Sequence, residues 1–413
     1  MKVGVDGRAF ASPAGGVRRY VTELYSAMRA VDPSVEVIAI GADDDTPLPA
    51  GVSRRGAVPF PSNLGWMAAS LPVATRGAGL DVFHAPAYQA PLWGVHPLVL
   101  TIHDVSYARH PEWHPYKNDP FRRAFYRQSA RGADRLVTDS AFSRSEIVVA
   151  YEIPADRIAV IPLAASPKFT PGAFDPRALP SGVTQPYGLH VGDLHARRNL
   201  KTALQAMLGV RRAIRESAVP STSSVSSASS DSSASSDSSA SSDSSASSDS
   251  SASSLSSASL PSSVFRLPSF VCAGVDRGTA ESLRDEAMRA TDPEAVILTG
   301  PLEDDALVNL YRGASMLLYP SRYEGFGLPV LEAMQCGTPV IASRAASMPE
   351  IMGDTGILVD PLDVDAWAQA IVEMLENGSR RRALADAGLA RAAQYTWRRT
   401  ASETLDVFRS VVR

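Results

Sequence analysis

The chain has 413 residues, more than one ordinary hydrophobic core accommodates, and roughly 100–200 residues per domain implies two or three domains. It carries 40 basic and 44 acidic residues, but four of the acids (Asp231, Asp237, Asp243 and Asp249) sit in one Ser-rich insert. The remainder is neutral, which argues against a nucleic-acid binder held by a broad phosphate-neutralising surface.

No apolar run reaches the roughly 18 residues a bilayer-spanning helix needs. Two cysteines, Cys272 and Cys336, make no disulfide framework and fit a reducing cytoplasm. The first strand is read at 2–6, directly after Met1 and without the long apolar leader of a secretory signal, so a cytoplasmic location is expected. Val17, Tyr20, Val21, Leu24, Tyr25 and Met28 follow at helical spacing as one core-facing stripe. Further strands are read at 35–41, 82–86, 97–103, 135–139 and 157–162. A second set falls at 187–192, 269–273, 296–299, 316–320, 339–342 and 356–359. These short Val-, Ile- and Leu-rich runs, separated by helix-length amphipathic stretches, have the pattern of buried parallel strands with crossover helices. The expected fold class is α/β: two Rossmann-like, doubly wound domains over 1–180 and 185–395, facing across a cleft. Ligands of such sheets bind beyond the carboxyl ends of strands, so functional side chains should follow strands.

Residues 217–263 are different material. The unit Ser-Ser-Asp-Ser-Ser-Ala repeats, almost nothing in it can be buried, and it is read as a disordered surface insert. Asn377-Gly378-Ser379 is read as a helix boundary, with Asn377-Gly378 closing one helix and Ser379 capping the next.

The strongest chemical signal is Ser321-Arg322-Tyr323-Glu324-Gly325-Phe326-Gly327-Leu328-Pro329-Val330-Leu331-Glu332-Ala333-Met334. It follows the strand at 316–320, as a ligand loop should. Gly325 and Gly327 allow close backbone approach, and Pro329 suits a first helical turn. The N–H groups of that helix start make an anion site suited to a diphosphate. Glu324 before the helix and Glu332 one turn inside it can accept hydrogen bonds from hydroxyls on either side of a bound phosphate, sugar on one side and ribose on the other.

Glu-x7-Glu within Glu-Gly-Phe-Gly-Leu-Pro, followed by Cys336-Gly337-Thr338-Pro339-Val340-Ile341-Ala342-Ser343, resembles the donor site of family 4 retaining glycosyltransferases of the GT-B fold. Met348-Pro349-Glu350 and Gly356-Ile357-Leu358-Val359 also fit that family. The resemblance implies that Glu332 binds ribose hydroxyls and Glu324 the transferred sugar. Backbone amides of 325–329, including Phe326 and Leu328, would serve sugar and phosphate. Gly15-Gly16, after the first strand, resembles the family's glycine loop, and Thr101-Ile102-His103-Asp104 the segment whose His reaches the donor sugar. A lone His after a strand is more often a structural hydrogen-bond partner, and it is the Glu motif that raises His103 to a catalytic candidate. Tyr395-Thr396-Trp397 and the helix to Arg413 resemble the element that crosses back onto the first domain.

Val191-Gly192-Asp193-Leu194-His195-Ala196-Arg197-Arg198-Asn199-Leu200 resembles the family's glycine turn but departs from it. Where many members carry an Arg just after that glycine, this chain has Asp193. Arg198 can still neutralise phosphate with a bidentate fork, and Arg197 or the helix start alone would supply the rest. The resemblance implies no metal and no cofactor beyond the nucleotide-diphospho-sugar substrate. His110-Pro111-Glu112-Trp113-His114 has the wrong spacing for a zinc helix, and Pro111 disfavours helix at His110.

Lys117, Arg122, Arg123, Arg127, Arg131 and Arg135 form a basic run. Such a run is ordinarily the solvated face of a helix; the alternative is peripheral contact with the inner membrane surface or a lipid-diphosphate acceptor. The His-Asp segment and the glycine turn look most like bacterial mannosyltransferases of surface polysaccharide assembly, which favours GDP-mannose as donor and a glycan or lipid-linked acceptor. Two other readings stay open, a nucleotide-sugar epimerase or hydrolase on the same scaffold and a catalytically silent nucleotide-sugar-binding scaffold. A dinucleotide dehydrogenase is disfavoured, because no Gly-x-Gly-x-x-Gly follows the first strand.

Overall fold

The structure, a computed structural model, describes residues 1–13, 15–114, 119–218 and 266–412. In the first half β1 (Lys2–Asp6), β2 (Glu36–Ile40), β3 (Val52–Arg55), β4 (Val82–Ala85), β5 (Leu98–Thr101), β6 (Arg135–Thr138) and β7 (Ile158–Val160) form one parallel sheet. Its order is β3-β2-β1-β4-β5-β6-β7. In the second half β8 (Tyr187–Val191), β9 (Ser269–Ala273), β10 (Val296–Gly300), β11 (Met316–Tyr319), β12 (Val340–Ser343) and β13 (Ile357–Val359) form another, ordered β10-β9-β8-β11-β12-β13 and again parallel throughout. The strand order reverses between β1 and β4 in one sheet and between β8 and β11 in the other. Each reversal opens a crevice at the carboxyl ends, where a ligand fits.

All twelve expected strands are present. β3 was not expected: Val-Ser-Arg-Arg is short, carries two charges and lies half-exposed at a sheet edge, so it lacks the apolar run of a buried strand. The first helix, Gly15–Val31, buries Tyr20, Val21, Leu24, Tyr25 and Met28 against the sheet, with Val17 half-buried at its entry.

The chain ends in the helix Trp397–Val411, which packs on the first half although it follows the second. Trp397 Nε1 donates to Ala165 O at 3.1 Å, Thr400 Oγ1 to Pro162 O at 2.7 Å, and Arg409 to Asp32 at 2.7 Å. Leu405 and Phe408 lie fully buried in the shared core.

Two local expectations are corrected. Ser217 and Ala218 are not part of the insert but the last residues of the helix Leu200–Ala218; the rest of 217–263 lies outside the described residues. The helix Gly378–Ala392 is capped by Asn377, whose side chain accepts from Arg380 N, and Ser379 lies inside it. Asn377 alone separates this helix from Val364–Glu376, so the cap falls on it.

Candidate active site

A cleft of about 1340 Å³ runs between the two sets of strand ends. Its second-half wall is built by the loop after β11. Gly327, at φ +110, flanks the helix Leu328–Gln335 in a conformation that side chains with a Cβ rarely adopt, and Pro329 occupies the first turn. Pro329 has no N–H, and Val330 N donates to Gly327 O at 3.0 Å. The amides this helix start offers an anion therefore end at Leu328, a smaller set than the 325–329 expected from the resemblance.

Glu332 is only 2% exposed. Tyr311 Oη donates to its Oε2 at 2.9 Å, and the Arg19 guanidinium, from the opposite wall, donates to its Oε1. Burial pushes the Glu332 carboxyl up; Arg19 and Tyr311 pull against it without cancelling the shift.

Glu324, 6% exposed, is ion-paired with Arg198, itself 8% exposed. Arg198 also donates to Tyr319 Oη and lies 3.4 Å from Ser321 Oγ; burial lowers its pKa. Gly192 sits against this guanidinium, its missing Cβ position 3.5 Å from Arg198 Nη2. Arg197 bridges the halves, with Nη1 at 3.7 Å from Asp104 and 3.8 Å from Glu324, and donates to Tyr323 O at 3.3 Å. Asp193 turns to Arg277 at 3.2 Å on the cleft rim.

The first-half wall begins at Gly15 and Gly16, which line the cleft with open space where a Cβ would stand. His103 follows β5. Its Nδ1 lies 2.8 Å from Asp139 Oδ2 and its Nε2 3.2 Å from Pro86 O, so both ring nitrogens face oxygen acceptors. Burial opposes charge on this ring, but the Asp139 carboxylate, with Asp104 and the Pro86 carbonyl, more than offsets it and holds the imidazolium above its ordinary range. The Tyr20 ring meets His103 edge-on at 4.8 Å.

The walls also meet in a seam around Gly325. A Cβ on Gly325 would stand 2.2 Å from His103 O, and Ser140 and Ser143 each donate their hydroxyl to Gly325 O, at 2.5 and 3.0 Å. Gly325 is thus a glycine because two domains meet there. Phe326 lines the cleft only at its edge; its ring is 4% exposed and packs near Tyr395, so it belongs to the core.

Every expected site residue lies at the cleft: His103, Glu324, Arg198, Gly15, Gly16, Arg197, Gly325, Phe326, Gly327, Leu328, Pro329 and Glu332 line it, and Gly192 backs it. Sequence reasoning missed Arg19, Lys168, Asp304 and Asp139, which also line it. Asp139 alone carried a signal, a carboxylate at the carboxyl end of an expected strand. Among the described residues no group of three or more His, Cys, Asp or Glu could hold a metal ion, and no helix is long and apolar enough to cross a membrane. His110 stacks on Trp113 and His114 on His195.

Two parallel halves closing on a cleft at both strand-order reversals is the architecture of a GT-B glycosyltransferase. Solved structures share it from end to end. Sucrose-phosphate synthase from Thermosynechococcus elongatus superposes with a TM-score of 0.68 at 18% identity, covering 99% of this chain and 98% of that one. Anabaena HepE in complex with UDP and glucose does so at 0.64 and 17% identity, covering 99% and 100%. In sequence, the Glycosyltransferase Family 4 profile matches residues 14–168 and the Glycosyl transferases group 1 profile residues 261–377. O-antigen chain mannosyltransferase B of Escherichia coli is 30% identical over 333 residues, 79% of this chain and 74% of that protein. The chain belongs to Glycosyltransferase Family 4 and is a glycosyltransferase.

Proposed function

We propose that the enzyme moves a hexosyl unit, mannose favoured, from a nucleotide-diphospho-sugar to a glycan or lipid-linked acceptor in surface polysaccharide assembly. It does so with retained anomeric configuration and without a metal ion. The observation that carries this reading is the placement of Glu324 and Glu332 on either side of one helix start in the cleft wall.

In this reading Glu332 accepts from the ribose hydroxyls, while Glu324 and His103 hold the transferred sugar. The leaving diphosphate gains negative charge in the transition state, and preorganised donors aimed at that charge carry most of the catalysis. Arg198, Arg197 and the amides up to Leu328 are those donors. Their positive charge performs the task a divalent cation would otherwise serve. Closure of the cleft at the Gly325 seam excludes water that would hydrolyse the donor. Mannose is favoured by the Escherichia coli relative, whose name gives mannosyl transfer to an O-antigen chain.

The basic run supports a peripheral contact with anionic lipid over part of its length. Arg127 and Arg131 both pair with Glu152, and Arg135 donates to Asp156 O. Phe121, at 86% exposure, and the exposed Arg122 beside it mark the end of the run that would meet the membrane. Lys117 lies outside the described residues.

The test is transfer from GDP-mannose to a panel of α-mannose oligosaccharides in EDTA, with the new anomeric proton read by NMR. Product with the donor's configuration is expected. An inverted product, or mannose released equally fast without acceptor, would contradict the reading.

A further inference from the structure

Carboxylates outnumber basic side chains two to one in the cleft lining. Four of the basic groups are already in ion pairs: Arg198 with Glu324, Arg197 with Asp104 and Glu324, Lys168 with Asp304, and Arg19 with both Asp304 and Glu332. A diphosphate that draws one of these four away takes a cation from a carboxylate. The carboxylate it leaves behind then needs new donors, or a buried charge stands unpaired at high cost.

Arg198 serves a diphosphate from where it stands, without leaving its carboxylate. Its partner Glu324 is 6% exposed, and the guanidinium is further held by Tyr319 and Ser321. Arg19 is different. Its side chain is 26% exposed, one turn into the helix that begins at Gly15-Gly16, where missing Cβ atoms leave open space. When it moves, Asp304 keeps Lys168 at 2.9 Å, and Glu332 keeps Tyr311 Oη at 2.9 Å. The ribose hydroxyls then supply Glu332 with the donors that Arg19 withdraws. Each charge released by the movement finds a second partner.

We propose that Arg19 determines specificity for the diphosphate: paired with Glu332 across the cleft, it transfers to the diphosphate when the ribose takes Glu332. This supplies the phosphate contact for which Asp193, turned to Arg277, is unsuited. The inference rests on the proposed function, in that Glu332 must be the ribose acceptor. A nucleoside without phosphate breaks the Arg19–Glu332 pair and gives Arg19 nothing in return. A nucleoside diphosphate completes the exchange. The enzyme thereby discriminates by phosphate even though Glu332 touches only ribose.

The experiment is calorimetric titration of wild type, Arg19→Gln and Arg19→Lys with guanosine, GDP, uridine and UDP, alongside melting curves of each protein. For the base that wild type prefers, Arg19→Gln is expected to narrow the diphosphate-to-nucleoside affinity ratio by about tenfold or more. The narrowing should come from both ends, with weaker diphosphate binding and unchanged or tighter nucleoside binding. Arg19→Lys, which keeps the charge, should retain most of the ratio. A merely structural role would weaken both ligands alike, and an unchanged ratio in a folded Arg19→Gln protein overturns the inference. If wild type binds neither diphosphate, the reading of the site itself fails, a result distinct from an unchanged ratio.

Discussion

Both carboxylate oxygens of Glu350, in the second domain, lie 2.9 Å from the backbone N–H of Ala141, in the first. Ala141 opens the helix Ala141–Tyr151, and Phe142 N also lies 3.3 Å from Glu350 Oε2, so one domain caps a helix of the other. A carboxylate at a helix N-terminus typically contributes about 0.3–1 kcal/mol, and up to about 2 when partly buried. Glu350→Gln should lower the melting temperature by no more than a few degrees while reducing kcat more than nucleotide affinity, because it loosens the seam and leaves the donor wall intact. Calorimetry beside steady-state rates checks this. Equal losses in both would mean that Glu350 acts within its own domain.

Gly325 gives the sharper steric test. Its Cβ position lies 2.2 Å from His103 O, too close for any real contact. Gly325→Ala must separate the walls or distort the loop, and overpacking of this kind costs about 1–3 kcal/mol. We expect transfer to fall by about tenfold or more with nucleotide affinity less affected. Full transfer activity in this variant would show that catalysis does not need the seam closed.

Protonation of His103 sets a pH dependence with a definite sign. The ring's pKa is raised above its ordinary value of 6.5 in the folded protein, with burial outweighed by Asp139. Its stabilising contribution is therefore complete below 6.5 and is lost as pH rises through the folded value. Asp139→Asn removes the charge that offsets burial, so the ring should turn neutral at lower pH and this loss should vanish. Denaturant unfolding of both proteins across pH 6 to 9 reads the difference. Parallel curves would place the His103 proton under some other control.

Phe408 ties the last helix to the first domain. It is fully buried, with its ring 5.3 Å from that of His84. Truncating a buried Phe to Ala costs about 3–5 kcal/mol. We expect urea unfolding of Phe408→Ala to show a loss of that order, with transfer activity falling in step with the folded fraction. A loss under about 1 kcal/mol would mean that the helix is an appendage and not part of the core.

What the sequence made legible follows from what burial does to composition. Central parallel strands are buried on both faces, so β5 and β11 read as apolar runs. β3 kept two arginines because an edge strand tolerates them. The Glu324–Glu332 loop was legible because its glycines, proline and carboxylates are close in sequence. Arg19 was not: it meets Glu332 across 313 residues, and on its own helix it is one polar position beside a buried stripe. Pairing across a cleft is a tertiary fact with no local period. The two-residue error in the cap, Ser379 expected and Asn377 found, is of another kind, since nearby cap candidates differ by little in energy.

The central claim, a nucleotide-sugar site in which Glu332 receives the ribose, is tested most directly by thermal-shift binding of GDP, UDP and ADP. The titrations are run with and without EDTA on wild type and Glu332→Ala. Stabilisation of wild type by one nucleotide, unaffected by EDTA and lost in the folded variant, is the expected result and would identify the donor's base. Stabilisation that survives in Glu332→Ala, or that requires a divalent ion, would contradict it.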